Sequence, residues 1–390
     1  LYTVQRSELT RLRDTDADGR ADEYLTHAKG WGVTGNYHEY AYGPTVDGAG
    51  NLWVALNCSI GKGPNPNNQW RGWSLRVKPD GSWAPISGGF RSPSGIGTNL
   101  AGDVFATDQQ GNWFPTCPLM HVKRGAFHGH ADSLQFTSRP EATFKVNLPL
   151  PKNLTVAEAA KRIPAYQLPA VWFPYRKMGM STTDILADST EGKFGPFTGQ
   201  LFCGEFTMSF VSRVFLEKVG GEYQGACFRF REDLDCAALR LQWGANGLMY
   251  IGQSNRGWNS LGTKSYGLQR LQWTGKTPFE IKEMSARRDG FHLQFTQSVV
   301  TETALNAKSY AVTSYTYPYQ SKYGGEPVDV KMHTVRVVGL DASGGVVRLA
   351  IDEMRPGYVY ELHAPGIRNL SQGKPLLHSA AYYTLNRVPN

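Results

Sequence analysis

The chain has no run of about 18 apolar residues, the minimum for a helix that crosses a membrane. It also has no Lys/Arg run. Its 41 basic residues stand against 33 acidic ones, and the formal charge of +8 is spread thinly. That describes a mildly cationic surface, and no nucleic-acid partner is expected. Charged residues are only 19% of the whole, below the usual ~25%, which argues against disorder. Cysteines are few (Cys58, Cys117, Cys203, Cys227 and Cys236), and none lies in a CxxC or CxxCH. Neither a zinc knuckle nor an attached haem is therefore encoded. No signal peptide is visible; Leu1 opens directly into an apolar stretch, as in a processed or truncated chain. What the sequence does have is glycine (43), proline (22) and 12% aromatics over 390 residues, the balance of a large turn-rich β protein.

Short aromatic strands follow glycine-containing turns at "GAGNLWVAL" (48–56), "AGDVFATD" (101–108), "FTGQLFCGEF" (197–206) and "GANGLMYIGQ" (244–253), and "LYTVQ" fits the strand half of the same unit. The markers Tyr2, Trp53, Phe105, Phe202 and Tyr250 are 51, 52, 97 and 48 residues apart. Taking the 97 as two periods gives six units of about 50 residues, the period of a β-propeller. The fold class expected is all-β, with a six-bladed propeller over 1–278. An insertion at about 138–171 contains a helix at "NLTVAEAAKRI", with Thr155 as its N-cap. From 279 to 390 the pattern becomes alternating strands, as in a seven-strand immunoglobulin-like sandwich. The first unit lacks a strand before Leu1 and the last lacks an outer strand. An upstream segment or another chain is expected to complete the ring, because open strand edges invite aggregation.

Two clusters carry metal-binding potential. In "DTDADGRADE" (14–23), Asp14, Asp16 and Asp18 alternate before Gly19, with Asp22 four residues beyond Asp18. Hard oxygen ligands in that order, joined by the Arg20 carbonyl, suit calcium, although Leu25 stands where an EF-hand has its bidentate Glu. In "FHGHAD" (127–132), His128 and His130 fall on one side of an extended segment beside Asp132, a spacing open to a transition metal. Two ordinary loop histidines are the plainer alternative. Trp113, Trp172, Trp258 and Tyr175 are candidates for a sugar-stacking cleft or for blade core.

"ELTRLRDTDADGRADEY", "GNYHEYAYG", "GFRSPSGIG", "WFPYRKMGMS", "GKFGPFTGQLF" and "YGLQRLQWTGKTPFEI" resemble a planctomycete-type family of haem-binding or dehydrogenase-like propellers. That family is related to the glucose/sorbosone dehydrogenases, which can carry pyrroloquinoline quinone. The resemblance covers 1 to about 280 and extends to the C-terminal sandwich. It implies a quinone-linked sugar or alcohol oxidoreductase, with Arg91 of "RSPSG" beside the quinone and His38 of "GNYHEYAYG" as base. The family's base lies eight residues before a turn glycine; His38 lies five before Gly43, and Gly35 falls on the ungapped position. The related cofactor arginines fall on Ala237 and Leu239, with Arg240 one step away. The CxxCH cytochrome module common in the family is absent, so a separate c-type cytochrome is a possible electron partner.

Cys58 and Cys117 occupy matching positions after successive aromatic strands, and Cys227 and Cys236 bracket "FRFREDLD". Two disulfides, Cys58–Cys117 and Cys227–Cys236, are expected. With calcium they would favour a periplasmic or extracellular location. One face of the propeller should gather His38, Arg91, His128, His130 and Arg256, with Arg91, Arg240 and Arg256 as cofactor-binding residues. Three functions stay open: the oxidoreductase with a sugar or alcohol substrate, a non-catalytic glycan- or protein-binding propeller, and a metal- or histidine-dependent glycan lyase.

Overall fold

Each aromatic unit folds as an antiparallel meander in a computed structural model of the chain, which describes residues 1–61, 65 and 67–390. Five such sheets succeed one another among the described residues. The first holds Tyr2–Val4, Glu8–Arg13 and Glu23–Lys29. The second holds Ala41–Val46, Leu52–Leu56, Trp73–Val77 and Trp83–Gly88. The third is built from Gly95–Thr98, Val104–Thr107, Cys117–His121 and Val171–Phe173. The fourth runs through Thr182–Ala187, Leu201–Glu205, Phe210–Val219 and Glu222–Arg231, and the fifth through Ala238–Trp243, Met249–Ser254 and Tyr266–Leu271.

The leading strands of the second to fifth sheets lie side by side in chain order, and Tyr2–Val4 lies beside Ala41–Val46. The array is propeller-like. Glycine makes the close approach possible: a Cβ on Gly95 would stand 2.2 Å from the Thr183 carbonyl oxygen, and one on Gly97 2.6 Å from that of Ile185. A side chain at either position would push two leading strands apart.

The count of six units is not met among the described residues. The 97-residue interval holds no sixth sheet. It is an excursion inside the third sheet, which leaves after His121 and returns at Val171 to pair with Cys117–Leu119. The excursion carries helix α1 (Val156–Arg162), whose Thr155 hydroxyl accepts from Glu158 N while Glu158 accepts from Thr155 N at 2.8 Å. That reciprocal cap is the local signal that made the helix legible.

Residues beyond 279 form two four-stranded antiparallel sheets. One has the spatial order Ile281–Arg287, Gly290–Phe295, Val346–Ile351, Val335–Leu340; the other Val328–His333, Ala311–Thr316, Tyr358–His363, Ala380–Leu385. That is eight strands where seven were expected. Nor does the second sheet stand alone: Gly225, Ala226 and Cys227 pair with Thr384, Tyr383 and Tyr382, so it continues the fourth propeller sheet into one eight-stranded sheet. Ala226 and Phe228 accordingly belong to the sandwich core with Phe291, Leu293 and Tyr360. A second bond between the regions runs through Leu154–Thr155, paired with Pro318–Tyr319. From there the chain lays residues 320–325 across the third sheet, with Trp113 N bonded to Gln320 O at 2.9 Å and Gly324 N to Gly111 O at 3.0 Å.

Candidate functional site

The leading strands all start at one end of the array, and the turns before them meet there. A repeated polar anchor fixes those turns. In the third, fourth and fifth sheets the second strand ends in a polar residue that holds backbone N–H groups of its own sheet's leading turn. Asp108 accepts from Arg91 N (2.8 Å) and Ser92 N (2.7 Å). Glu205 accepts from Met180 N (2.8 Å) and Ser181 N. Asn255 accepts from the Cys236 thiol (3.1 Å) and Ala237 N (3.5 Å). Burial pushes both carboxyls up to about 7 despite these bonds. Their task is to hold turns. The signal was present in "ATD", "CGE" and "QSN", and aligning the units on their last residues would have found it.

Arg91 is the hub. Its guanidinium is nearly buried, Nη1 reaches Gln110 O at 3.3 Å, and Nε has no partner. Tyr323, from the 320–325 segment, places its ring 5.3 Å from the guanidinium carbon. The charge of Arg91 acts on His38, Cys58, Asp108, His130, Asp132 and Tyr323. Tyr323 had no sequence signal, because it arrives from the sandwich more than 200 residues away.

His38 is exposed at the same end. Its loop is pinned from below by Arg71, which donates to Gly32 O (2.8 Å) and Tyr40 O (2.7 Å), and by Arg6, which donates to Glu39 O (3.0 Å). Glu39, named in sequence only as a neighbour, is buried. Burial raises its carboxyl, but bonds from Ser59 and Thr34 outweigh that and leave it below the ordinary value. Partial burial, helped by the Arg91 charge, holds the His38 imidazole below its ordinary pKa, so it is neutral near pH 7. Tyr37, Tyr40 and Tyr42 line up beside it with ring centroids 5.6 and 6.3 Å apart. Arg240 faces the end of that row, 5.0 Å from the Tyr42 ring, and donates to Ser94 O at 3.2 Å. Arg91 and Arg240 thus meet the same 91–94 turn. Arg256 is exposed in the fifth sheet's loop, with its N–H on Ser254 Oγ at 3.1 Å, and adjoining Gly257 lies against Tyr37. At the other end of the leading strands is a cavity of about 320 Å³ lined by Thr98, Leu100, Asp184, Leu186 and Trp243.

The histidine pair divides. His128 is buried against Phe90, with Nε2 3.2 Å from Ser87 Oγ, and does not join His130. His130 Nδ1 instead lies 3.5 Å from Cys58 Sγ, and Asp132 completes a group whose ligand atoms all lie within 4.8 Å of one another. Burial drives both imidazoles down to about 3, so each is neutral.

Both expected disulfides are overturned: all five cysteines are free thiols. Cys58 Sγ donates to Phe90 O at 2.9 Å and faces His130. Cys117 is sealed in the third sheet against Gly179, Cys227 points to Trp172 O, and Cys236 is taken by Asn255. Matching positions in successive sheets bring residues to one end of the array without aiming their side chains at each other.

In the first sheet, the Asp14, Asp16 and Asp18 carboxylates come within 4.8 Å of one another, and all three residues are exposed. Asp22 turns away and accepts from Thr15 N and Oγ1, both at 2.7 Å. Arg20 contributes its N–H to Asp18 at 2.7 Å.

No family model matches the chain, and no curated protein matches it. Among solved structures it is similar to a glucose dehydrogenase, with 15% identity, TM-score 0.48, and 68% of this chain and 73% of that one covered. It is also similar to the soluble aldose sugar dehydrogenase of Escherichia coli in its apo form (14%, 0.45, 68% and 74%). A third likeness is to the aldose sugar dehydrogenase of Streptomyces coelicolor in its PQQ-bound form (16%, 0.45, 70% and 74%).

Proposed function

We propose that the end of the array around His38 and Arg91 oxidises a sugar or alcohol hydroxyl in the manner of the quinoprotein sugar dehydrogenases. The observation that carries this reading is an exposed, neutral imidazole held within the field of a nearly buried guanidinium. The donor set fits an anionic quinone: Arg91 keeps a buried Nε without a partner, and Arg240 reaches the same turn. These two residues would hold pyrroloquinoline quinone by its carboxylates, and when bound it supplies a hydride acceptor. His38 takes the substrate hydroxyl proton on an imidazole nitrogen. The Tyr37–Tyr40–Tyr42 row offers stacking faces to a sugar ring.

The same proposal includes calcium at Asp14, Asp16 and Asp18, a periplasmic or extracellular location and a c-type cytochrome as electron acceptor. It also reads the C-terminal region as immunoglobulin-like, supported by its strand orders, which read A-B-E-D and C′-C-F-G. The propeller is read as a variant of the six-bladed ring in which five sheets are described.

A second reading, a non-catalytic glycan-binding propeller, is favoured by Ala237 and Leu239 at the family's cofactor arginine positions and by Tyr323 over Arg91. Adding pyrroloquinoline quinone and calcium to purified protein separates the two. The oxidoreductase reading expects a perturbed quinone spectrum and dye reduction by an aldose or alcohol, with His38→Gln lowering kcat by about 10²-fold or more while the spectrum persists. An unperturbed spectrum together with sugar binding establishes the second reading.

A further inference from the structure

We propose that Cys58, His130 and Asp132 form a binding site for a divalent transition metal of the zinc type, beside Arg91. The site lies outside the quinone reading and does not rest on it.

Geometry carries the proposal. Metal–sulfur and metal–nitrogen bonds of about 2.3 and 2.05 Å at a tetrahedral angle put sulfur and nitrogen about 3.6 Å apart. Cys58 Sγ and His130 Nδ1 stand 3.5 Å apart. The third ligand atom, from Asp132, is within 4.8 Å of both. Thiolate, imidazole and carboxylate are the ligand types that zinc combines, and a three-ligand set leaves a fourth position open.

The backbone holds the set in place before any ion arrives. Cys58 N donates to Arg91 O at 2.9 Å and His130 N to Gly89 O at 3.0 Å, so both ligands hang from the same short segment. Glycine lets these chains meet: a Cβ on Gly72 would stand 2.7 Å from Cys58 Sγ, and one on Gly89 2.5 Å from His128 N. Access is from the Asp132 side, since Cys58 and His130 are buried and Asp132 is exposed.

Binding exchanges the Cys58 S–H bond for a sulfur–metal bond and releases one proton to solvent. The Phe90 carbonyl loses its thiol donor in the exchange. The two anionic ligands neutralise the ion, and the Arg91 charge beside it favours an anion or hydroxide in the open position.

The test uses the full-length chain, stripped of metal and reduced, and titrated with cobalt(II) as a spectroscopic probe. The expected result is one ion per chain, a thiolate-to-cobalt charge-transfer band, the visible bands of a tetrahedral site, and displacement by zinc. Cys58→Ser should abolish the charge-transfer band. Asp132→Asn, on the exposed side where folding is not at stake, should weaken binding by about tenfold or more, since even residues behind a ligand cost that much. A folded protein that shows no thiolate band has a buried thiol–imidazole hydrogen bond there and nothing more, which overturns the proposal. So does a band that survives in Cys58→Ser. Neither result bears on the quinone spectrum, which is read separately.

Discussion

The second to fourth sheets and the first and fifth grow from the same sequence unit but treat their surfaces in opposite ways. Leu52–Leu56 and Leu201–Glu205 are buried at every position. In the fifth sheet Tyr266–Leu271 alternates, with Tyr266 79% and Leu268 72% exposed, and in the first Tyr24 is 70% exposed. The inner sheets have four strands, and each leading strand is wedged between two others; the outer pair have three. The chemistry follows that division. Cys58 and His130 take their altered electrostatics from burial between crowded backbones, and Arg91 lies nearly buried beside them. Asp14, Asp16, Asp18 and Arg256, on the end sheets, stay in solvent. The same residue types become a tuned site or a solvated surface according to which sheet carries them.

The sharpest test of this contrast removes the partner of one inner sheet. The fourth sheet continues into the sandwich through Gly225–Cys227, and Ala226 and Phe228 lie in the sandwich core. A chain ending at residue 278 should expose that strand and lose the cooperative thermal transition of the full chain, with aggregation on concentration. An unchanged melting temperature would show that the joint contributes nothing to the inner sheets.

Next in size is a pair of substitutions. Gly95→Val drives a side chain into the Thr183 carbonyl and should cost about 3 kcal/mol or more. Leu268→Ser on the fifth sheet should stay within about 0.5 kcal/mol. Urea unfolding of both variants measures the difference. Similar losses would remove the distinction between inner and outer sheets.

The third test is pH. Asp108 and Glu205 are pushed up to about 7 by burial, against about 4 in an unfolded chain. The folded state therefore holds protons that the unfolded state has released. The stability this gives is fully present below pH 4 and is lost as pH rises through 7. His128, depressed to about 3, acts in the opposite sense: its contribution is present above about 6.5 and lost as pH falls toward 3. Between pH 6.5 and 8 each carboxyl should remove about 1 kcal/mol, partly offset by the buried His121, His128 and His130, whose unfolded-state titration near 6.5 adds about 0.4 kcal/mol apiece over the same interval. Asp108→Asn should remove its own share, about 1 kcal/mol, from the fall across that interval. A slope unchanged in the variant would mean that the Arg91 and Ser92 N–H bonds keep the carboxylate charged.

What could be read in the sequence was local. The glycine-turn-aromatic strands at Trp53, Phe105, Phe202 and Tyr250, the Thr155 cap and the clustering of Asp14, Asp16 and Asp18 all depend on neighbours a few residues apart. Spacing failed where it had to decide between two physical causes of one number. An excursion and a hidden blade both yield 97 residues, and only the pairing of Val171 with Leu119 separates them. The site was half legible. His38, Arg91 and His130 were singled out by type and motif, whereas Tyr323 and the turn from Cys117 to His130 as the neighbour of Cys58 depend on contacts between distant segments. The disulfide expectation failed for that reason: position in the repeat fixes where a Cβ lies, not which atom its side chain meets.

The smallest effect expected belongs to the first sheet. Asp14, Asp16 and Asp18 each accept one backbone N–H, from Gly19, Asp18 and Arg20, which curls the loop and brings the carboxylates together. Asp22 is committed to Thr15, so three carboxylates remain. Three exposed carboxylates without a bidentate Glu should bind calcium only in the range of about 10⁻⁴–10⁻³ M. At ten times the dissociation constant the stabilisation is about 1.4 kcal/mol, and a domain of this size then gains about 3–6 °C at most. Because the loop is exposed on an end sheet, the global transition should register less than that. Asp16→Asn combined with Asp18→Asn should remove the shift while leaving the calcium-free melting temperature in place. If magnesium raises the melting temperature equally, or the double variant responds like the parent, the carboxylates are a solvated turn, and the contrast between end sheets and inner sheets becomes sharper still.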